Sequence, residues 1–148
     1  MLLDTVIEMW KTDSTIDELN LDSTTVRGAI LHAKYLELFS VAKLQLKRRE
    51  AELANLKKDK WLYYNGKMTK EDMDKRGWPY DPFAGMAKPL KSDMDMFYES
   101  DADLRKVKTQ IEYQKTIVET LDEIMATLRW RHQAIRNIID WKKFTAGC

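Results

Sequence analysis

Between Leu56 and Lys67 the sequence reads LKKDKWLYYNGK, a run that places ammonium groups and flat rings within a few residues of one another. At about 100° per residue on a helix, Lys43, Lys47, Lys57 and Lys58 fall within an arc of roughly 100°, beside the apolar face, and Trp61 projects within it. Single-stranded nucleic acid calls for this combination. Ammonium groups neutralise phosphates, and rings stack on unpaired bases at ~1–3 kcal/mol per base. Tyr63 and Tyr64 add aromatic content, with at most one of them on the lysine face, and Lys67 adds a further cation. The competing reading is a solvated basic face with Trp61 and the tyrosines in a core, and spacing alone slightly favours it.

Other constellations carry less chemistry. Asp93-x-Asp95 and Asp101-x-Asp103 suggest a carboxylate metal site, but no third ligand has diagnostic spacing, and such pairs are common in acidic loops and helix starts. There is no glycine-rich phosphate loop, no nucleophile with a partnered histidine, and no zinc signature among two histidines and one cysteine. The expectation is a protein without catalytic residues, cofactor or metal. Arg129, Arg131, Arg136, Lys142 and Lys143 form a second basic group. For Lys142 and Lys143 helix-dipole complementation suffices, whereas Arg129 and Arg131 are candidates to line a DNA path.

These residues need long helices to position them. Five Gly and three Pro in 148 residues leave long stretches without breakers, and 44% hydrophobic with 33% charged residues excludes wholesale disorder. Leu3, Val6, Ile7 and Trp10 predict a short first helix ending near Thr12-Asp13-Ser14. Asp22-Ser23-Thr24 supplies the next cap, and Leu31, Tyr35, Leu38, Ala42, Leu46, Leu53 and Leu56 share one face of a long amphipathic helix over about 24–64. The prolines Pro79, Pro82 and Pro89, with Gly77 and Gly85, predict a loop over 68–99, in which Trp78, Tyr80 and Phe83 pack on a helix or a neighbouring subunit. Ser100 with Asp103 resembles a capping box that opens a second long helix over about 100–144. Its seam runs through Leu104, Val107, Ile111, Gln114, Val118, Leu121, Met125, Leu128, His132, Ile135, Ile139 and Lys142, and Ile117, Ile124 and Ile138 widen it. A stripe broader than one partner can cover predicts self-association through Val118, Leu121, Met125, Leu128, Ile135, Ile138 and Ile139. Gln114 and His132 read as polar, packed, register-setting positions.

The expected fold is therefore all-α, one domain over 1–148. Its parts are an acidic N-terminal helix and turn (1–25), a long basic helix (26–67), a Pro/Gly/aromatic loop (68–99) and an oligomerisation helix (100–148). The net charge of +1 conceals blocks: six acids and one base in 1–25, nine bases and three acids in 43–70, nine acids and five bases in 71–105, five bases and one acid in 129–148. Such blocks steer a polyanion toward one surface and away from another. No apolar run approaches the ~20 residues of a membrane span, the first segment lacks the basic start of a signal peptide, and the one cysteine, Cys148, excludes an intrachain disulfide. These features predict a cytoplasmic protein.

The same residues carry a resemblance. Lys34-Tyr35-Leu36, Ser40, Lys43, Arg48-Arg49-Glu50-Ala51, Lys58-x-Lys60 before Tyr63-Tyr64-x-Gly66, and Ile135-Arg136-x-Ile138 through Phe144-x-Ala146-Gly147 are similar to the UvsY-type recombination mediators of T-even-like bacteriophages. The resemblance implies a ring of six or seven subunits that binds single-stranded DNA, the phage recombinase and the phage single-strand-binding protein, and that helps the recombinase replace the latter in the host cell cytoplasm. It also implies that the basic-x-basic pair, here Lys58 and Lys60, contributes to DNA binding, and that the C-terminal helix drives assembly. Lys60 stands where arginine is usual, keeping the charge without the planar fork, and the stretch Gly77-Trp78-Pro79-Tyr80-Asp81-Pro82-Phe83 departs from the pattern. Two other classes compete: a coiled-coil structural adaptor of a phage that does not bind DNA, and a metal-dependent nuclease using the aspartate pairs.

Overall fold

In the computed structural model, which describes residues 1–147, the regular elements are all helical. Cys148, on which the disulfide argument turned, lies outside the described residues. The elements are α1 (Leu3–Asp13), α2 (Leu21–Tyr64), α3 (Lys70–Arg76), a 3₁₀ turn (Lys91–Asp93), α4 (Met94–Ser100) and α5 (Ala102–Thr145). Among the described residues no helix is long and apolar enough to cross a membrane.

Local chemistry sets most boundaries. α2 starts before the expected Asp22-Ser23-Thr24 cap, because the Thr24 hydroxyl donates back to the Asn20 carbonyl (2.9 Å) and so lies inside the helix. It ends where Gly66 takes a left-handed conformation, φ 68°, and the Gly66 and Lys67 N–H groups turn back to the carbonyls of Tyr63 and Leu62. This is a Schellman closure, which glycine permits without a Cβ penalty. The segment 68–99, expected to be a loop, contains α3, the 3₁₀ turn and α4. Thr69 caps α3 by accepting from the Asp72 N–H (3.2 Å), and Gly77 closes it in the left-handed region. Two turns are too short to display helical periodicity, so composition hid them. The second long helix opens one residue later than the Ser100 capping box required. Asp101 is extended and its Oδ1 accepts the Leu104 N–H at 3.0 Å, which makes it the N-cap.

The chain forms two compact units, and both long helices contribute to each. The first comprises Met1–Leu46 and the chain from Tyr113 on. Its core joins Val6 of α1, Leu31, Tyr35 and Ala42 of α2, and Ile117, Leu121, Ile124, Met125 and Leu128 of α5, with Trp10, Leu38, Phe39 and Val118 packed around them. The α5 seam assigned to self-association is thus largely consumed inside the protomer. Leu121, Met125, Leu128 and Ile135 are buried, Val118 and Ile138 are half-buried, and Ile139 is exposed. A chain's own helices cover an apolar stripe without the translational entropy that a separate subunit loses on docking, so α1 and α2 win it. Gln114 donates to the Ala42 carbonyl (3.0 Å) and fits its packed role. His132 is exposed instead.

The second unit, Lys47–Glu112, is built on aromatics. Tyr63, Tyr64, Met73, Phe83 and Met94 form its core, with Met68, Trp78, Phe97 and Tyr98 against it. Tyr64 meets Tyr98 nearly edge-on (ring centroids 5.4 Å apart, planes at 87°), as Phe83 does Phe97 (5.2 Å, 89°), arrangements that pair a positive ring edge with a negative face. Trp78 and Phe83 therefore pack as expected, while Tyr80 stays exposed and donates its hydroxyl proton to Asp74.

Candidate nucleic-acid interface

The run Leu56–Lys67 closes α2, and the structure divides its side chains between two faces. Lys57, Lys58 and Trp61 are exposed on the helix, and Lys67 is exposed just beyond its end. Lys67 Nζ sits 4.6 Å from the Trp61 ring centroid, a cation over an aromatic face. Among the described residues none of Lys57, Lys58 and Lys67 forms an ion pair. Lys47 is exposed on the same helix, and Lys43, in the first unit, is exposed and lies 4.9 Å from the Phe39 ring centroid.

Lys60, Tyr63 and Tyr64 point the other way. Lys60 is 3% exposed, and its ammonium lies 3.0 Å from Asp101 Oδ2, 2.9 Å from Asp103 Oδ2 and 3.8 Å from the Trp78 ring centroid. This corrects its assignment to the DNA surface: two steps along a helix rotate it about 160° from Lys58, onto the core face. A buried ammonium survives only when paired, and two carboxylates with a ring supply the pairing. Tyr63 and Tyr64 are buried as well and cannot stack on a base. The Tyr63 hydroxyl donates to the Pro79 carbonyl (2.7 Å) and that of Tyr64 to Asp101 Oδ2 (2.7 Å).

Asp101, which the sequence offered only as half of a carboxylate pair, is the centre of this unit. It caps α5, accepts from Tyr64 and pairs with Lys60. Burial by itself pushes its carboxyl up, but the Leu104 N–H, the Tyr64 hydroxyl and the Lys60 ammonium together outweigh that and hold it below the usual carboxylate range. Burial, then the bond to Asp101, raises the Tyr64 phenol well above its ordinary value. Burial also raises Tyr63, with the charges of Asp101 and Asp81 adding to it. Asp103 accepts from the Trp78 indole N–H (2.8 Å) as well as from Lys60. The Asp-x-Asp spacing thus serves an ion pair, and no group of three His, Cys, Asp or Glu side chains suited to a metal occurs among the described residues.

Arg131, offered as a DNA-path residue, is also buried. Its guanidinium donates to the carbonyls of Ser14 (3.2 Å) and Thr15 (3.0 Å), tying the turn after α1 to α5. Arg129 is exposed, and Lys142 reaches the Glu18 carbonyl. A feature that the core pattern hid is a second apolar stripe on α2. Val26, Ile30, Val41 and Leu44 fall within about 60° on the wheel, opposite Tyr35, and all are exposed. Trp130, Trp141 and Phe144 of α5 are exposed too, the last two stacked with centroids 5.7 Å apart.

An all-helical scaffold that sets exposed lysines around an exposed indole defines a class of protein whose surface suits a polyanion. The comparisons with known proteins make that class specific. A family model described as "Recombination, repair and ssDNA binding protein UvsY" matches residues 9–148, and the chain belongs to that family of non-enzymatic recombination mediators. The recombination protein uvsY of Enterobacteria phage T4 is 26% identical over 147 residues, 99% of each chain. Crystal structures of the bacteriophage T4 recombination mediator protein UvsY superpose closely. One in lattice type II has a TM-score of 0.79 at 25% identity over 99% of this chain and 98% of that one; another in lattice type I has 0.80 at 24% over 95% and 98%.

Proposed function

We propose that this protein is a recombination mediator that holds single-stranded DNA on a ring of six or seven copies and helps the phage recombinase replace the phage single-strand-binding protein, in the cytoplasm of the infected cell. The observation that carries the reading is the exposed cluster Lys57, Lys58, Trp61 and Lys67, whose cations form no ion pair among the described residues and whose ring is accessible. Lys43 and Lys47 extend the basic character of α2, while Lys60, Tyr63 and Tyr64 act from inside by fixing the helix end that carries the cluster.

One such cluster binds weakly. A closed ring presents many to one strand, and affinity then comes from effective concentration. Subunit contacts fall to the apolar surface that the protomer leaves uncovered: Val26, Ile30, Val41 and Leu44 on α2, and Ile138, Ile139, Trp141 and Phe144 on α5.

The test is titration of a labelled single strand at several salt concentrations, with light scattering on the same samples. The expected result is a ring-sized oligomer whose log affinity falls with log salt by roughly 0.7 per neutralised phosphate. Truncation after Ala134 is expected to break down both assembly and binding. A monomer that ignores single strands at low salt would overturn the reading.

A further inference from the structure

Beside Trp61 the second unit holds a groove that the sequence did not foreshadow. It encloses about 620 Å³ and is lined by Trp61, Asn65, Lys88, Lys91, Met94 and Tyr98, with Pro89 and Asp95 completing the wall. That volume is in the range of sites that accept a small organic group. We propose that this groove receives one unpaired nucleobase of the bound strand, stacked against Trp61, while Lys88 and Lys91 take the phosphates on either side of it. The proposal rests on the single-strand-binding reading above and deepens it, giving the segment between α3 and α4 a direct role.

The chemistry follows from the lining. Trp61 is 46% exposed, so its indole offers area to a planar partner, and Lys67, which lies over the ring, takes no part in lining the groove. Met94 is buried and gives the groove an apolar floor. Asn65 bridges the walls. Its amide nitrogen donates to the Trp61 carbonyl (2.8 Å) and to the Tyr98 hydroxyl (3.4 Å), and its oxygen accepts from Lys88 (3.2 Å). Lys88 is thus aimed by a neutral amide, and neither it nor Lys91 forms an ion pair among the described residues. Asp95 is the one acid in the lining and leaves the balance of the groove cationic. A base in a duplex has its faces covered by neighbours; only an unpaired base can enter and stack, which makes the groove a selector for single strands that tolerates any base.

The experiment uses the full-length protein, a dT oligonucleotide carrying one 5-iododeoxyuridine, and the variants Trp61→Ala, Lys88→Ala/Lys91→Ala and Lys57→Ala/Lys58→Ala. Photo-crosslinking is expected to map to Trp61. Trp61→Ala is expected to weaken single-strand binding about 5- to 150-fold, the equivalent of ~1–3 kcal/mol, and to leave duplex binding unchanged. Lys88→Ala/Lys91→Ala is expected to lower the salt slope by about 1.4. If that variant keeps the parent slope and crosslinks map away from Trp61, while Lys57→Ala/Lys58→Ala still loses binding, the groove assignment fails and single-strand binding through α2 stands. If the parent protein binds no single strand, the underlying reading fails first.

Discussion

Each compact unit is tied together by one buried aspartate that accepts a tyrosine hydroxyl and pairs with a lysine from α2, yet the two knots differ in how wet they are. In the first unit Asp13 receives Tyr35 (2.9 Å), Lys34 (2.6 Å) and Arg27 (3.2 Å), and the two cations remain 41% and 56% exposed along their side chains. In the second, Asp101 receives Tyr64 and Lys60, and the lysine side chain is 4% exposed. Water screens the first set of ion pairs, whereas in the second it reaches the half-exposed Asp103 but not the Lys60–Asp101 pair. The same residue types therefore make an adjustable clasp in one place and an all-or-none lock in the other, and the lock sits beneath the helix end that carries the exposed Lys57, Lys58 and Trp61.

The comparison is tested most severely by Lys60→Ala, which leaves Asp101 buried with its charge uncompensated; the expected loss is about 3–5 kcal/mol by denaturant titration. The double replacement Lys60→Met/Asp101→Asn removes both charges, keeps a cap for α5 and is expected to recover most of that loss. If the double variant is no better than the single one, the lock is not electrostatic. DNA-binding defects of Lys60 variants are then expected to track unfolding of the second unit rather than a lost phosphate contact.

Asp13→Ala leaves the Tyr35 hydroxyl buried without its acceptor, at an expected cost of about 1–3 kcal/mol. The knots are also expected to share a pH response. Asp13 is held below its usual range even though burial by itself raises it, because Lys34, Tyr35 and Arg27 outweigh that, and Asp101 is likewise lowered. A carboxyl depressed in the folded state stabilises fully above its unfolded value, ~4, and loses that contribution as pH falls toward the folded value. Tyr35 and Tyr64 are raised, by burial first and then by their aspartates, so their contribution is complete below pH ~10 and is lost above it. Denaturant midpoints measured from pH 5 downward are expected to fall, and Asp13→Asn/Asp101→Asn to flatten the fall. An unchanged acid limb would count against both knots.

Lys34→Ala is expected to cost only about 0–1 kcal/mol, since its pair is screened; a loss equal to that of Lys60→Ala would erase the contrast. Smallest of all, Lys57→Ala/Lys58→Ala is expected to leave stability within about 0.5 kcal/mol while lowering the salt slope of single-strand binding by about 1.4.

Two of the run's features were legible because they are local. The 3.6-residue period and the absence of breakers specify two long helices, and the same period gathers Lys57, Lys58 and Trp61 on one side of α2 whatever packs on the other. Lys60 was grouped with Lys58 on the resemblance alone, although at about 100° per residue the two lie about 160° apart on a helix. Periodicity names a face without saying what will cover it, so the α5 stripe read as a subunit seam when α1 and α2 of the same chain fill it.

The sequence by itself determined an all-helical chain, the cationic face of α2 and a pattern of anchors matching a recombination-mediator family, because these depend on residues within a few turns of one another. Tertiary structure alone decided that Lys60 and Arg131 face inward, that Tyr63 and Tyr64 are core, and that Asp101 caps α5. Each of those outcomes depends on partners brought from far along the chain, and a lysine, which composition sends to the surface, stays inside only because Asp101, Asp103 and Trp78 meet it there.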